Sequence, residues 1–555
     1  MKKTFYAVFA VLFVIAVGIY YYATFPSINI HEPVFWGALL IIFMVLTIFF
    51  AVKSLRGTLK NNRFAFQDVK SFPILAKFFL ALSILVVVFY IGGSIAGSTV
   101  FRARAYASLL TVKEYDFSED IEETNQVTDI ALMDTESARK FGKRKIGSLS
   151  DVVSQYEVED DYTQISIQGH PMKVSGLKYA SFFKWWNNRG NGIPGYVKVN
   201  PVNSEAEYVA LKKGMKYVPS GYFNYNLQRH VQLAYPTKII SGYHFEIDDE
   251  GNPFYICPTM KPRVGLFGGM DVNGVIICNP VDGVCSYYPV NKIPAWVDCV
   301  YEGNLLTKKY DWFGTFSGGF INSIIGQKGC KITTDDFGYK IIGDDVWAYT
   351  GVTSVNGDQS NIGFVLMNQR TSEAKYYKVS GAEEHSAMES AQGTVQEKRY
   401  EASFPSLINV SGQPTYIMVL KDSAGLVKMY AMVNVEQYNI VATAASQTEV
   451  FSKYRKMIAA NGEITPDEES WLERTVTVES VQFVETDDGT VVYVKDTEHG
   501  VYKQAFQDNE DLIRISRGDV IKVYYEQVTE DDNEIHPLRK FEILATPSPE
   551  MNQQQ

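Results

Sequence analysis

The sequence predicts an α+β protein: three N-terminal transmembrane helices, tandem units of helix plus antiparallel sheet, and a C-terminal OB-like β-barrel. Three observations carry this. The first hundred residues hold three long apolar runs, whereas the remainder is soluble in composition. A strand–turn–strand segment recurs along the middle of the chain. Beyond residue 472, five short runs of sheet formers with a small insert before the fourth have the layout of an OB barrel.

A chain of 555 residues exceeds what one hydrophobic core supports, so several domains are expected. Aromatic content of 14%, with Tyr (35) ahead of Phe (33), favours strands carrying half-buried rings. A net charge of -11 argues against nucleic acid as a partner, because a phosphate backbone demands clustered Lys and Arg.

Residues 5–25 are uncharged and follow Lys2 and Lys3. About twenty such residues span a bilayer core. A cleaved signal peptide is the rival reading, but Tyr20, Tyr21 and Tyr22 stand where cleavage needs small residues, which favours an uncleaved helix. A second run covers Val34 to Val52 with Trp36 as an interfacial anchor, and a third covers Pro73 to Gly97 with Lys77 in snorkelling reach. The 53–72 loop carries Lys53, Arg56, Lys60, Arg63 and Lys70 against Asp68, whereas Pro26 to Pro33 has no Lys or Arg. The positive-inside rule then puts the N-terminus in the cytoplasm and everything after about residue 100 outside the cell. The lipid bilayer is the first expected partner. Gly93 and Gly97, at small-xxx-small spacing, are the candidate contact for a helix-mediated oligomer.

After this 1–100 anchor, residues 101–160 are polar and charge-mixed and read as a stalk, with Ser148–Tyr156 a short helix capped by Ser148. The repeat follows. Gly195 to Leu211, Gly274 to Val290 and Gly363 to Val379 align without a gap: Gly, an apolar run, Asn200/Asn279/Asn368, a polar turn, then Tyr208/Tyr287/Tyr376. A looser copy runs from Tyr416 to Tyr430, with Gly425 in the place of Gly283. Each reads as a β-hairpin, because residues tolerant of unusual φ/ψ separate two runs of sheet formers. A second kind of hairpin precedes each, around Ile165–Pro171, Phe245–Ile256, Tyr339–Trp347 and Leu407–Ile417. Helical patterns sit between, at Tyr179–Trp186, Tyr225–Ala234 and Glu383–Ser390. The units are therefore drawn at 161–240, 241–335 and 336–446 (the last holding two), followed by a helical linker at 447–471.

Helix followed by strand–turn–strand resembles PepSY-type modules, extracytoplasmic units of Gram-positive membrane proteins. More closely, TQISIQGHPMKV, WWNNRGNGIPGYVKVN, FEIDDEGNPFYICP, SNIGFVLMNQRTSEAKYY and YAMVNVEQYNIVAT resemble a group of membrane-anchored proteins of Gram-positive bacteria, over about residues 120–445. The resemblance implies PepSY-like repeats outside the cell. It brings no established activity, so no residue inherits a role.

The C-terminal domain, 472–545, has strand-like runs at Thr475–Glu485, Thr490–Asp496, Val501–Gln507, Asp519–Val528 and Ile535–Leu544. Its acids outnumber its Lys and Arg, unlike a nucleic-acid-binding barrel. The 546–555 tail is expected to be disordered.

Chemistry-bearing motifs are sparse. Cys257, Cys278, Cys285, Cys299 and Cys330 form no CxxC pair, and His230 and His244 have no third ligand at metal spacing, so no metal is assigned. Cys278 and Cys285 flank the turn of the second hairpin and are the possible disulfide. Against it, the other copies have Val199, Met367 and Leu420 where Cys278 stands, as a small buried residue would be replaced. GxSxG, HExxH, Walker and dinucleotide patterns are missing, so no catalytic or cofactor-binding residue is assigned. The pairs Asp248-Asp249, Asp335-Asp336 and Asp344-Asp345 lie in or beside turns, which explains them better than a glycosidase pair or a Ca²⁺ site. Phe182-Phe183-Lys184-Trp185-Trp186 spreads over most faces of a helix, so part of it is core. Trp185, Trp186, Asn187 and Arg189 are the candidate surface for a glycan or peptide.

These features predict a membrane-anchored, extracytoplasmic, non-catalytic binding or scaffold protein of the cell envelope, with an envelope protein or glycan as partner. The alternative is an envelope hydrolase acting on glycan or peptide through carboxylates that the fold brings together. Solute transport fits poorly, since no intramembrane charge pair marks a pathway.

Overall fold

The computed structural model describes residues 2–59, 72–124, 130–355, 360–461, 472–486, 489–525 and 535–546. The chain divides into two compact units, Met1–Ile458 and Ala459–Gln555.

The first unit begins with three long helices, Lys2–Thr24, Pro33–Leu59 and Ile74–Ala96. Within them Ala7–Thr24, Pro33–Ala51 and Ile74–Ala96 are long and apolar enough to cross a membrane. Phe43 and Phe50 lie against Phe79, and Trp36 against Phe89, so the second and third helices run antiparallel. Of the loop charges that set the expected orientation, Lys60, Arg63, Asp68 and Lys70 lie outside the described residues.

The rest of this unit repeats one motif four times: a helix, then four strands in an antiparallel meander. The first copy is helix Thr135–Gly147 with strands Thr163–Ile167, His170–Ser175, Ile193–Val199 and Ala206–Met215. The second is Leu227–Ala234 with His244–Ile247, Pro253–Val264, Gly268–Cys278 and Cys285–Pro289. The third is Gly303–Phe316 with Gly338–Ile342, Asp345–Ser354, Gly363–Asn368 and Ala374–Tyr377. The fourth is Glu384–Thr394 with Ser406–Val410, Gln413–Lys421, Val427–Asn434 and Val441–Ala444.

Local chemistry explains the meanders. Gln168-Gly169 and Ser411-Gly412 hold positive φ at both turn positions (53° and 82°, 52° and 79°), which suits the right-handed twist of flanking strands. The last hairpin of each copy turns on an asparagine. The side-chain oxygens of Asn200, Asn279, Asn368 and Asn434 accept from the backbone N–H of Val202, Val281, Arg370 and Gln437 at 2.8–2.9 Å. The amide then replaces a backbone partner inside the turn.

That geometry corrects the fourth copy. Tyr416–Tyr430 spans the middle hairpin of its meander, and the hairpin equivalent to the other three is Val427–Asn434 with Val441–Ala444. Residues 101–160 are also not a stalk. Val112–Tyr115 pairs in parallel with Ala374–Tyr377 at the edge of the third sheet. Helix Thr135–Gly147, capped by Asp134, places Ala138 and Ile146 in the core of the first meander. Ser148 therefore ends this helix; the short helix expected here is Ser150–Val153, preceded by Leu149, and Tyr156–Val158 is a strand paired with Leu177–Tyr179. The helices open their copies, so boundaries at 161, 241 and 336 separate three of the four from the sheets they serve.

Three apolar cores join consecutive copies. One combines Val174, Tyr196 and Val197 with Phe245, Tyr255 and Ile276. The next joins Ile256 and Val275 to Leu306, Tyr310, Val352 and Val365. The third joins Phe364 and Tyr377 to Ala387, Tyr416, Met418 and Val433. Sharing cores in this way buries both faces of sheets that would each be marginal alone.

Among the described residues, the second unit has five strands, Leu472–Thr486, Gly489–Asp496, Val501–Ala505, Val520–Tyr525 and Ile535–Ala545, whose pairing closes into a ring. Val476, Val492, Val494, Tyr502, Ile521 and Val523 fill it. Closure leaves no unpaired sheet edge. The tail from Pro547 on lies outside the described residues.

Candidate functional site

Helix Phe182–Asn188 starts at Ser181, whose hydroxyl accepts from the Lys184 N–H. Its aromatic residues divide between inside and outside. Trp185 is 2% exposed and packs on Tyr222, Phe223 and Tyr225, which removes it from the candidate binding surface. Phe183 (75% exposed) and Trp186 (47%) face outward. Asn187 is exposed beside them. The Arg189 guanidinium lies 3.9 Å above the Trp186 ring and donates to the Trp186 carbonyl, so its charge stays at this surface.

The surface continues through exposed Tyr222 and Phe223 to the end of the first long helix. The Tyr22 hydroxyl donates to Asn224 at 2.8 Å. Arg229 donates to the carbonyls of Tyr22 (2.9 Å) and Phe223 (2.6 Å), and its guanidinium stands over the Tyr22 and Phe25 rings. The sequence offered only the Trp pair as a signal. Tyr222 and Phe223 lie some forty residues downstream and join it through tertiary packing alone.

A second apolar surface adjoins the third long helix. Val100 and Phe101 are exposed on the following helix Thr99–Ala107, and Ile321, Ile324 and Ile325 are exposed near Phe320. Phe320 and Val100–Ala105 line one cavity of about 360 Å³. Between these surfaces the hairpin turn Val264–Gly268 rests on the long helices. A β-carbon at Gly93 would stand 2.8 Å from Leu266, and one at Gly97 would stand 3.2 Å from the Val264 carbonyl. The Tyr106 hydroxyl donates to the Gly97 carbonyl at 2.8 Å, and His31 contacts the Leu266 carbonyl at 2.9 Å. The close approach permitted by Gly93 and Gly97 is thus taken by this chain's own hairpin.

The acids converge where copies one, two and three meet. Both oxygens of Glu246 accept from backbone, the N–H groups of Asp298 (3.0 Å) and Cys299 (2.8 Å). Asp298 accepts from the Ser166 N–H at 2.7 Å and pairs with Arg370 at 3.2 Å, and Arg370 also meets Asp345 at 2.7 Å. Asp344 accepts from the Ser166 hydroxyl and the Gly169 N–H. Burial pushes both Glu246 and Asp298 above the ordinary carboxylate range. Burial opposes a charge on His244, yet Cys299 and the Glu302 carboxylate 3.0 Å away outweigh it and hold the imidazole well above its usual range. Glu246 and Asp298 are sealed from solvent and engaged by backbone donors, an arrangement that holds copies together. Asp248 is a turn residue, accepting from Glu250 and Asn252. An open cavity of about 550 Å³ beside the first meander is lined by Lys145, Lys198, Glu205 and Glu207, with Lys198 and Glu207 paired at 2.9 Å.

Cys278 and Cys285 stand opposite each other with sulfurs 3.0 Å apart and unbonded, and His230 lies beside them.

No protein-family model matches the chain, and no curated protein matches it. Among solved structures, an alignment to a crystal structure of an ACO/RPE65 chimera has a TM-score of 0.12 and 7% identity. It covers 69% of this chain and 64% of that one, under two thirds of its length, and carries no inference about fold or activity.

Proposed function

We propose that this chain is a membrane-anchored, extracytoplasmic binding or scaffold protein of the cell envelope, its globular part seated directly on the bilayer. The observation that supports this is the contact of Asn224 and Arg229 with the end of the first long helix, beside exposed Tyr222 and Phe223 and the neighbouring Phe183 and Trp186. Rings of this type favour the interface, where one end is apolar and the other wet. Three crossings with the N-terminus in the cytoplasm agree with the globular part touching the late end of the first helix, the early side of the second and the late end of the third. Four helix-plus-meander copies support a kinship with PepSY-type repeats, and the five-stranded ring supports an OB-like reading of the C-terminal unit. In this reading the three helices confine the repeats near the membrane and raise their effective concentration for an envelope protein or glycan.

The test reconstitutes the full chain in nanodiscs containing brominated lipid. Trp fluorescence quenching should fall when Trp186→Phe is introduced, because that ring lies within reach of the bromines. Equal quenching in both proteins would remove the seated arrangement. In intact cells, crosslinking with pull-down should recover an envelope partner, and protease added to protoplasts should digest the region after residue 100. A protected globular part would overturn the orientation.

A further inference from the structure

The second copy differs from its siblings at one cross-strand pair. Val199 faces Ala206, Met367 faces Ala374 and Val433 faces Val441, whereas Cys278 faces Cys285. Both members change together, so the scaffold does not require sulfur at either position. Helix Leu227–Ala234 brings His230 to the same turn, where its Nε2 lies 2.7 Å from the Gly283 carbonyl. One ring nitrogen of His230 and the two sulfurs all lie within 4.8 Å of one another. Tyr217 holds the arrangement: its ring lies 4.2 Å from that of His230 and fills the space a β-carbon on Gly283 would need. Gly283 itself sits at φ 81°, so the turn is closed to ordinary side chains. Cys278 is fully buried, and Cys285 is partly open beside exposed Val284.

We infer that Cys278, Cys285 and His230 form a thiol–disulfide exchange site, with Cys285 the attacking sulfur, Cys278 the resolving sulfur, and protein or peptide disulfides the substrate class. With its Nε2–H donating to the Gly283 carbonyl, His230 accepts the Cys285 proton at Nδ1. The Cys285 thiolate attacks one sulfur of a partner disulfide, so a mixed disulfide forms as the partner's S–S bond breaks. The departing sulfur takes the proton from His230. The Cys278 sulfur then attacks the Cys285 sulfur and breaks the mixed disulfide, and the second partner sulfur takes the Cys278 proton and leaves as a thiol. Two thiols of this chain are oxidised to one disulfide while one partner disulfide is reduced to two thiols, and the reverse direction oxidises a partner dithiol.

The electrostatics agree with the division of labour. A hydrogen bond from Cys278, with His230 beside it, draws Cys285 down to about 6 despite burial, while Cys278 is driven up by its bond to Cys285 and by burial. Asp282 opposes the thiolate; buried Cys257 and the Tyr217 and Tyr235 rings complete the surroundings.

The test uses the full chain in detergent, equilibrated in glutathione buffers of varied ratio and trapped by alkylation for mass analysis. The pair should pass from dithiol to disulfide within the accessible range of ratios. Cys278→Ser should accumulate a glutathione adduct on Cys285, and Cys285→Ser should not. His230→Gln should slow the reaction of Cys285 with a neutral disulfide reagent at pH 7 by roughly tenfold and shift its pH profile upward, as loss of thiolate character requires. A pair that stays oxidised at every ratio is a structural disulfide and overturns the inference. So does an unchanged rate in His230→Gln, or zinc that co-purifies with the chain and blocks both thiols.

Discussion

The ring of Tyr376 lies across Gly363, within 2.5 Å of the place where a β-carbon on that glycine would stand. Its hydroxyl reaches past the glycine and donates to the Ile362 carbonyl at 2.9 Å. Tyr287 treats Gly274 in the same way and donates to the Asn273 carbonyl, and Tyr208 covers Gly195. In the fourth copy, aligned by its asparagine turn, Met429 and Thr443 replace the glycine and the tyrosine together. The Gly and Tyr that recur in the sequence are therefore one packing device, a large ring filling space left by a missing side chain. Gly363→Ala should cost about 1–3 kcal/mol by overpacking. Gly363→Met combined with Tyr376→Thr should cost less than the sum of the two single changes. Unfolding of the four proteins in detergent measures this, and strict additivity would refute the device.

Arg370 pairs with Asp298 and Asp345 beside sealed Glu246. With Arg370→Met, Asp298 loses its partner at 3.2 Å and Glu246 loses a favourable charge. Leaving buried charge unpaired costs roughly 3–5 kcal/mol. Burial already raises both acids, and loss of the guanidinium raises them further, so the folded state takes up protons that the unfolded state does not. Such groups favour the fold at low pH and lose that contribution as pH rises. The deficit of Arg370→Met should accordingly be smaller at pH 5 than at pH 8 in denaturant titrations. Equal deficits would mean that the acids do not depend on Arg370.

What was legible in the sequence follows the range of each interaction. The asparagine turns of the first three copies, the Gly-rich tight turns and the apolar spans depend on residues a few positions apart, and they stand where periodicity and turn chemistry put them. Strand Val112–Tyr115 meets its partner some 260 residues later, so nothing nearby in sequence marks it as part of the third sheet. Helix Thr135–Gly147 was obscured by its own composition: Arg139, Lys140, Lys143, Arg144 and Lys145 crowd the polar face and leave a thin apolar stripe. The acid cluster and the His230–Cys278–Cys285 group draw on separate copies or elements, and repeated motifs conceal the positions where copies differ. Among the surface candidates, Trp186, Asn187 and Arg189 remain outside and Trp185 is core, a division that depends on which face of a short helix meets Tyr222 and Phe223.

Glu384 opens the fourth copy's helix from a buried position, accepting from the Gly351 N–H at 2.6 Å and the Thr334 hydroxyl at 3.1 Å. Burial, with neighbouring Glu383 adding to it, pushes the carboxyl from 4.5 up to about 7. Because the folded state holds this proton more tightly, its contribution to stability is complete below pH 4.5 and is lost as pH rises through 7. The shift corresponds to about 3 kcal/mol between those limits. Glu384→Gln keeps the acceptor for Gly351 and removes the titration, so the variant should gain on the parent chain between pH 5 and pH 8. Parallel stability curves for the two proteins would rule the linkage out.

Neighbouring glycines in the third long helix provide a contrast within a single turn. At Gly92 nothing lies within 4 Å of an added β-carbon, whereas at Gly93 the Leu266 side chain lies at 2.8 Å and the Phe267 ring at 3.3 Å. Gly92→Leu should therefore be tolerated. Gly93→Leu must push the Val264–Gly268 turn away from the helix, which disturbs the Tyr90–Phe267 contact and the His31–Leu266 hydrogen bond. Displacement of packed groups by a bulky side chain costs about 1–3 kcal/mol, occasionally more. With both variants in nanodiscs, Gly93→Leu should expose the turn to limited proteolysis at a protease concentration that leaves Gly92→Leu intact. If Gly93→Leu instead retained the turn's protection and formed fewer dimers by crosslinking, the glycine would serve contact between copies after all.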